Sequence, residues 1–270
     1  MSVKVGIIGT GNMGGAIIKG LCSSKRAYEI YAYDINTGLT EQFKRQYSIT
    51  VMPSIQELTK ECDIVIAAVK PQCMESILEE CEKTLSRSTL FVSVAVGLPI
   101  AYYSGKLGKD KKIVRTMPNT PALVREGITI VCFGGNITPD EKQLVKEIFS
   151  CIGSVEELDE SLMSEVTALT SSSPAYVYMM IEAMADAAVQ SGIPRSICYK
   201  LAAQAVLGSA KMVLETQKHP AELKDMVCSP AGTTIEAVYT LEEKGFRNAI
   251  MAAMKECTRR AVEIGRGIDR

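Results

Sequence analysis

In the first half of the chain apolar residues gather in short runs, at 3–8, 29–33, 63–69, 89–95, 112–116 and 128–133, of which 64–69 and 90–95 are nearly continuous. Continuous runs of this length suit central parallel strands covered on both faces. Helical stretches lie between most of them, which predicts a largely parallel sheet with ligands beyond its carboxyl edge. From about residue 160 no run reads as a strand. Alanine- and methionine-rich helices follow, with Pro174, Pro194 and Pro220 where a first turn tolerates a missing N–H and Gly192 and Gly245 where helices stop. The expected architecture is α/β: an N-terminal doubly wound domain (1–159) followed by an all-helical domain (160–270).

The first run ends in Gly9-Thr10-Gly11-Asn12-Met13-Gly14, and a helical stretch follows. In such a fingerprint the first glycine allows the tight turn, the second admits a pyrophosphate, and the third lets helix and strand pack closely. The pyrophosphate then sits on unpaired N–H groups at the helix N-terminus. The second run ends at Asp34, about 20 residues past the last glycine, where an acid holds a ribose hydroxyl.

Composition narrows the partners. The 270 residues carry 30 basic and 31 acidic side chains, so there is no basic field for nucleic acid. The N-terminus lacks a charged n-region and cleavage site and no apolar run approaches a membrane span; the expectation is a cytoplasmic protein without a membrane partner. The nine cysteines include no C-x-x-C pair and there is one histidine, so neither a metal site nor a disulfide framework is expected. His219, just before Pro220, reads as a turn or cap residue.

Four segments carry a family resemblance. Ala68-Val69-Lys70-Pro71, Val114-Arg115-Thr116-Met117-Pro118-Asn119-Thr120-Pro121, Ser173-Pro174-Ala175-Tyr176 and above all Cys228-Ser229-Pro230-Ala231-Gly232-Thr233-Thr234-Ile235-Glu236-Ala237 resemble pyrroline-5-carboxylate reductase, the last enzyme of proline biosynthesis. The resemblance implies an N-terminal Rossmann dinucleotide-binding domain (1–159) and an all-helical dimerisation and substrate-binding domain (160–270), with reduction of 1-pyrroline-5-carboxylate to L-proline by NADPH or NADH, in a homodimer interlocked through the helical domain and often in a larger ring, a decamer of five dimers. It implies cofactor contacts at Ile8, Gly9, Thr10, Gly11, Asn12, Met13, Asp34, Ala68, Val69, Lys70, Pro71, Val94, Ala95 and Val96. Substrate contacts are implied at Glu160, Ser229, Gly232, Thr233 and Thr234, with the backbone of 232–234 on the carboxylate and the Thr234 hydroxyl, the catalytic candidate, facing the ring nitrogen.

The residues alone leave alternatives. The 228–237 segment also reads as a helix cap whose hydroxyls satisfy orphan donors, Lys70 as a solvated strand end, and Glu160 as a first-turn acid complementing a helix dipole. A related imine or hydroxyacid reductase and a non-catalytic NAD(P) sensor are the competing functions. Departures from the family pattern also matter. Ser171 and Ser173 replace two glycines, and Met226 and Ile55 replace asparagines whose contacts do not transfer. Asp34 with no following arginine accepts from a free 2'-hydroxyl but repels a 2'-phosphate, which favours NADH.

Overall fold

The computed structural model describes residues 2–268, with side chains described through Glu263. The chain runs β1 (Val3–Ile8), α1 (Asn12–Cys22), β2 (Tyr28–Tyr33), α2 (Thr37–Tyr47), β3 (Thr50–Val51), α3 (Ile55–Glu61), β4 (Ile64–Ala67), α4 (Met74–Glu82), β5 (Leu90–Ser93), α5 (Ile100–Leu107), β6 (Lys112–Pro118), β7 (Gly127–Phe133), α6 (Pro139–Ser150) and β8 (Gly153–Glu157). Helices follow: α7 (Met163–Val166), α8 (Ser173–Gln190), α9 (Arg195–Thr216), α10 (Pro220–Val227), α11 (Thr233–Glu243) and α12 (Phe246–Ile268).

The strands form one sheet in the order β3-β2-β1-β4-β5-β6-β7-β8. Neighbours are parallel except β6 and β7, which are antiparallel, so β8 lies parallel to β7 but opposed to the rest. Period-2 alternation divides each central strand between two cores. Ile64 and Ile66 join Ile17, Ile18 and Leu21 of α1 and Ile148 and Phe149 of α6. Val65 and Ala67 face the other way, with Leu58 of α3, Met74 and Leu78 of α4 and Tyr103 of α5. Burial on both faces explains why these strands are continuously apolar, and each fully buried large side chain contributes roughly 1.5–3 kcal/mol.

Two strands escape the apolar pattern. β3 is two residues long, and β8, Gly-Ser-Val-Glu-Glu, is a polar edge strand with little to bury. The long apolar runs also overreach, because Val69, Val94 and Ala95 belong to loops leaving β4 and β5.

The described chain resolves into two compact units, one running to Ser171 and resuming at Thr258, the other Ser172–Cys257. That division falls later than 159/160. The reason is packing: Met163 is buried with Met117, Ile130 and Cys132, with Val166 beside them, so the first helical turns belong to the far end of the sheet. A single π-helical turn, Thr167–Ser171, then leads out of this unit.

In the second unit α8 packs on α9, with Ala185, Cys198 and Ala202 as its buried apolar residues. Pro174 and Pro220 occupy first turns, while Pro194 stands at the N-cap of α9. His219 is the N-cap of α10, its Nδ1 accepting from the Ala221 N–H at 3.1 Å. Many large apolar side chains stay open, among them Met179, Leu207, Leu214 and Met251. One correction to the sequence reading arises here: α9 is long and apolar enough, by length and composition, to cross a membrane. Its charges, Arg195, Lys200, Lys211 and Glu215, lie toward its ends, which leaves an uncharged middle, 201–210, that carries Gln204 and Ser209.

Candidate active site

The turn after β1 is shaped by close approach. Gly9 has φ +91°, and a Cβ there would lie 2.7 Å from the Ala68 carbonyl oxygen; a Cβ on Gly14 would lie 1.9 Å from the Gly9 oxygen. Nothing stands within 4 Å of the same position on Gly11. Gly11 is the N-cap of α1 and brings no side-chain acceptor, and the first turn holds no acid. The first N–H groups of α1 are therefore open to an anion arriving over Gly11, which is the fit a dinucleotide pyrophosphate requires.

A cleft of about 650 Å³ extends along the carboxyl edge of the sheet on both sides of this turn. Of the predicted cofactor residues, Ile8, Gly9, Gly11, Asn12, Met13, Asp34, Ala68, Val69, Lys70, Pro71, Val94, Ala95 and Val96 line it. Thr10 does not. It is buried beneath the loop, where its N–H and hydroxyl donate to Asp34 Oδ2 at 2.5 and 3.0 Å. The Asn36 N–H donates to Asp34 Oδ1 at 2.8 Å. Asp34 thus ties the glycine turn to the start of α2, and three of its roughly four acceptor positions are filled within the chain. Lys70 is exposed at the cleft, and no described residue pairs with it.

The cleft also includes residues that sequence reasoning missed. Ile35, Cys73, Ser76 and Ile77 lie along its wall, and Pro118, Thr120 and Leu123 extend it past β6. A signal for Pro118 and Thr120 was available, since both lie in the Met117 to Pro121 segment. Within that segment Asn119 is structural: its Nδ2 donates to the Thr170 carbonyl and its Oδ1 accepts from the Ile128 N–H, both at 2.9 Å.

Glu160 stands at the far end of the same unit. Its Oε1 accepts from the Ile100 N–H at 2.7 Å, in the first turn of α5, and from buried Arg115 at 3.0 Å. It therefore complements a helix dipole, but that of α5 rather than of its own turn, and Oε2 is left for another donor.

In the helical unit, Gly232 is the N-cap of α11 and no side chain caps the helix. The hydroxyls of Thr233 and Thr234 make no hydrogen bond within the described chain, so the self-capping alternative is not what forms. A Cβ on Gly232 would lie 2.3 Å from Ser229 Oγ, and Ala231 takes φ +55°, a left-handed conformation costly for alanine. The turn thus bares a helix N-terminus with free hydroxyls, and Ser229 lies folded against it.

A glycine turn opening a helix at the carboxyl edge of a doubly covered parallel sheet defines a Rossmann-type dinucleotide-binding protein, and the comparisons with known proteins make it an NAD(P)H-dependent oxidoreductase. Residues 4–97 match a family described as NADP oxidoreductase, coenzyme F420-dependent, and residues 160–264 match one described as pyrroline-5-carboxylate reductase dimerisation. The chain is 47% identical to pyrroline-5-carboxylate reductase of Escherichia coli over 98% of its own length and 100% of the relative's. Among solved structures it superposes on a Coxiella burnetii pyrroline-5-carboxylate reductase with TM-score 0.92 and 31% identity, covering 98% and 99% of the two chains. It superposes on a Plasmodium falciparum pyrroline carboxylate reductase with NADP bound with TM-score 0.86 and 34% identity, covering 97% and 98%. The chain belongs to the pyrroline-5-carboxylate reductase family.

Proposed function

We propose that this protein reduces 1-pyrroline-5-carboxylate to L-proline, closing proline biosynthesis. The observation that carries the reading is full-length kinship joined to an uncapped α11 N-terminus within the segment most characteristic of the family. When bound, NAD(P)H supplies hydride from nicotinamide C4 to the imine carbon. The protein's own share is placement and exclusion of water. The Gly11 turn and the first N–H groups of α1 hold the pyrophosphate, and the two strand-exit loops, 68–71 and 94–96, wall the cofactor. The N–H groups of residues 232–234 bind the substrate carboxylate, with Ser229 beside them. Thr234 directs its hydroxyl to the ring nitrogen, and Glu160 offers its free oxygen on the substrate side. A protonated imine is already electrophilic, so no histidine or metal ligand is called for.

The same reading extends to cofactor, assembly and location. Asp34 places a negative charge where a 2'-phosphate would sit and keeps one acceptor position for a 2'-hydroxyl, which favours NADH over NADPH. The helical unit forms a homodimer, assembled further as a decamer of five dimers, in the cytoplasm. An assay of the purified protein with 1-pyrroline-5-carboxylate and each reduced nucleotide tests the core of this. Proline formation, faster with NADH, is expected; no turnover with either nucleotide overturns the activity, and a strong NADPH preference overturns the cofactor assignment.

A further inference from the structure

The loop that leaves β5 toward the cleft is held from within the core, by a residue that never reaches the cleft. Ser93, the last residue of β5, is fully buried, and its carbonyl accepts from the Thr116 hydroxyl at 2.9 Å. Its own hydroxyl accepts from the Ala95 N–H at 3.1 Å and lies 2.6 Å from the hydroxyl of Tyr103, also fully buried. Tyr103 belongs to α5, the helix to which the 94–99 loop leads. The helix start is fixed separately by Glu160 on the Ile100 N–H. The loop is thus fastened at both ends, at its first end by the Val94 N–H on the Ala67 carbonyl at 3.2 Å and by the Ser93 side chain, whose second partner is the Tyr103 phenol.

We propose that Tyr103 is a positioning residue for the reaction, its hydroxyl fixing the Ser93 side chain so that the 94–96 wall is preset for the nicotinamide end of the cofactor. A serine side chain has three staggered positions, and a lone N–H donor selects weakly among them. The second partner, buried where water does not substitute, selects one and keeps the Ala95 N–H paired. The nicotinamide assignment follows from strand order. The pyrophosphate turn is at β1, Asp34 at the end of β2 marks the adenosine side, and β4 and β5 lie on the opposite side. The Tyr103 ring supports a separate structural task, packing 5.9 Å from the Phe91 ring centre, and phenylalanine preserves it. Burial pushes the Tyr103 hydroxyl up to about 12, so the phenol is neutral at working pH.

The inference rests on the dinucleotide reading of the cleft, and its test needs no imine substrate. Binding of NADH, NADPH and ADP-ribose is titrated for wild type, Tyr103→Phe, Ser93→Ala and the double variant. ADP-ribose lacks the nicotinamide and reports the other half of the site. In Tyr103→Phe the tighter reduced nucleotide is expected to weaken about five- to tenfold while ADP-ribose stays within about twofold, and the double variant is expected to lose no more than the worse single one. Equal weakening of all ligands, unchanged binding, or additive losses each overturn the proposal. If Tyr103→Phe does not fold, Ser93→Ala carries the same comparison between reduced nucleotide and ADP-ribose. Wild type that binds none of the three ligands refutes the dinucleotide reading itself, a result distinct from the others.

Discussion

Thr233 and Thr234 are adjacent and alike in chemistry, and neither hydroxyl has a hydrogen-bond partner among the described residues, yet their expected contributions differ. Thr234→Val keeps shape and removes one hydroxyl, so folding and nucleotide binding are expected to persist while kcat/KM for 1-pyrroline-5-carboxylate falls about 10- to 100-fold, or roughly 1.4–2.7 kcal/mol. Thr233→Val is expected to be milder because in the proposed site its backbone N–H, not its hydroxyl, binds the substrate. Steady-state kinetics on the pair decides, and an equal loss in both would point to a general disturbance of the turn. Asp34 admits a second residue-scale experiment. Serine removes the charge but keeps an acceptor for the Thr10 N–H, so Asp34→Ser is expected to raise NADPH efficiency relative to NADH about tenfold, near 1.4 kcal/mol. A ratio that does not move would mean the carboxylate serves only the glycine turn it braces.

At the scale of elements, the α5 N-terminus is the one whose support lies furthest away in sequence. Arg115 is buried and its ion-pair partner Glu160 is about a third exposed. Glu160→Gln leaves the guanidinium without its counter-charge, and a loss of about 1–3 kcal/mol is expected, below the 3–5 typical of fully buried pairs because water reaches the glutamate. Urea unfolding measures it; unchanged stability would return Glu160 to a purely substrate-side role. This bond also shows where sequence stops being legible. The six central strands, the glycine turn and the helix starts at Pro174 and Pro220 each announce themselves, because a strand buried on both faces or a helix start constrains residues close together. The engagement of Glu160 with Ile100, and the polar strand β8, depend on pairing across long separations, with no local pattern to betray them. The cleft was readable to the extent that it is built from strand ends, and Ser76, Ile77 and Leu123, which reach it from neighbouring helical turns, were not.

For the whole molecule the exposed apolar side chains of α8 and α9 call for a covering surface, which the proposed dimer supplies. Paired charges introduced there, Met179→Glu with Leu207→Glu, are expected to shift sedimentation from dimer to monomer and abolish turnover; a fully active monomer would overturn the dimer proposal. The two lateral edges of the sheet offer the opposite case. β3 pairs over only two residues, and β8 exposes Glu156 and Glu157. A strand approaching from a neighbouring copy would find too short a template on one side and a short, charged strand on the other, where Glu157 is held in ion pairs with Lys142 and Lys146. A nascent first unit, already carrying its sheet while the helical half awaits a mate, is thereby guarded against the wrong kind of self-recognition: chains at high concentration are steered away from fibrous stacking and left to find one another through helices.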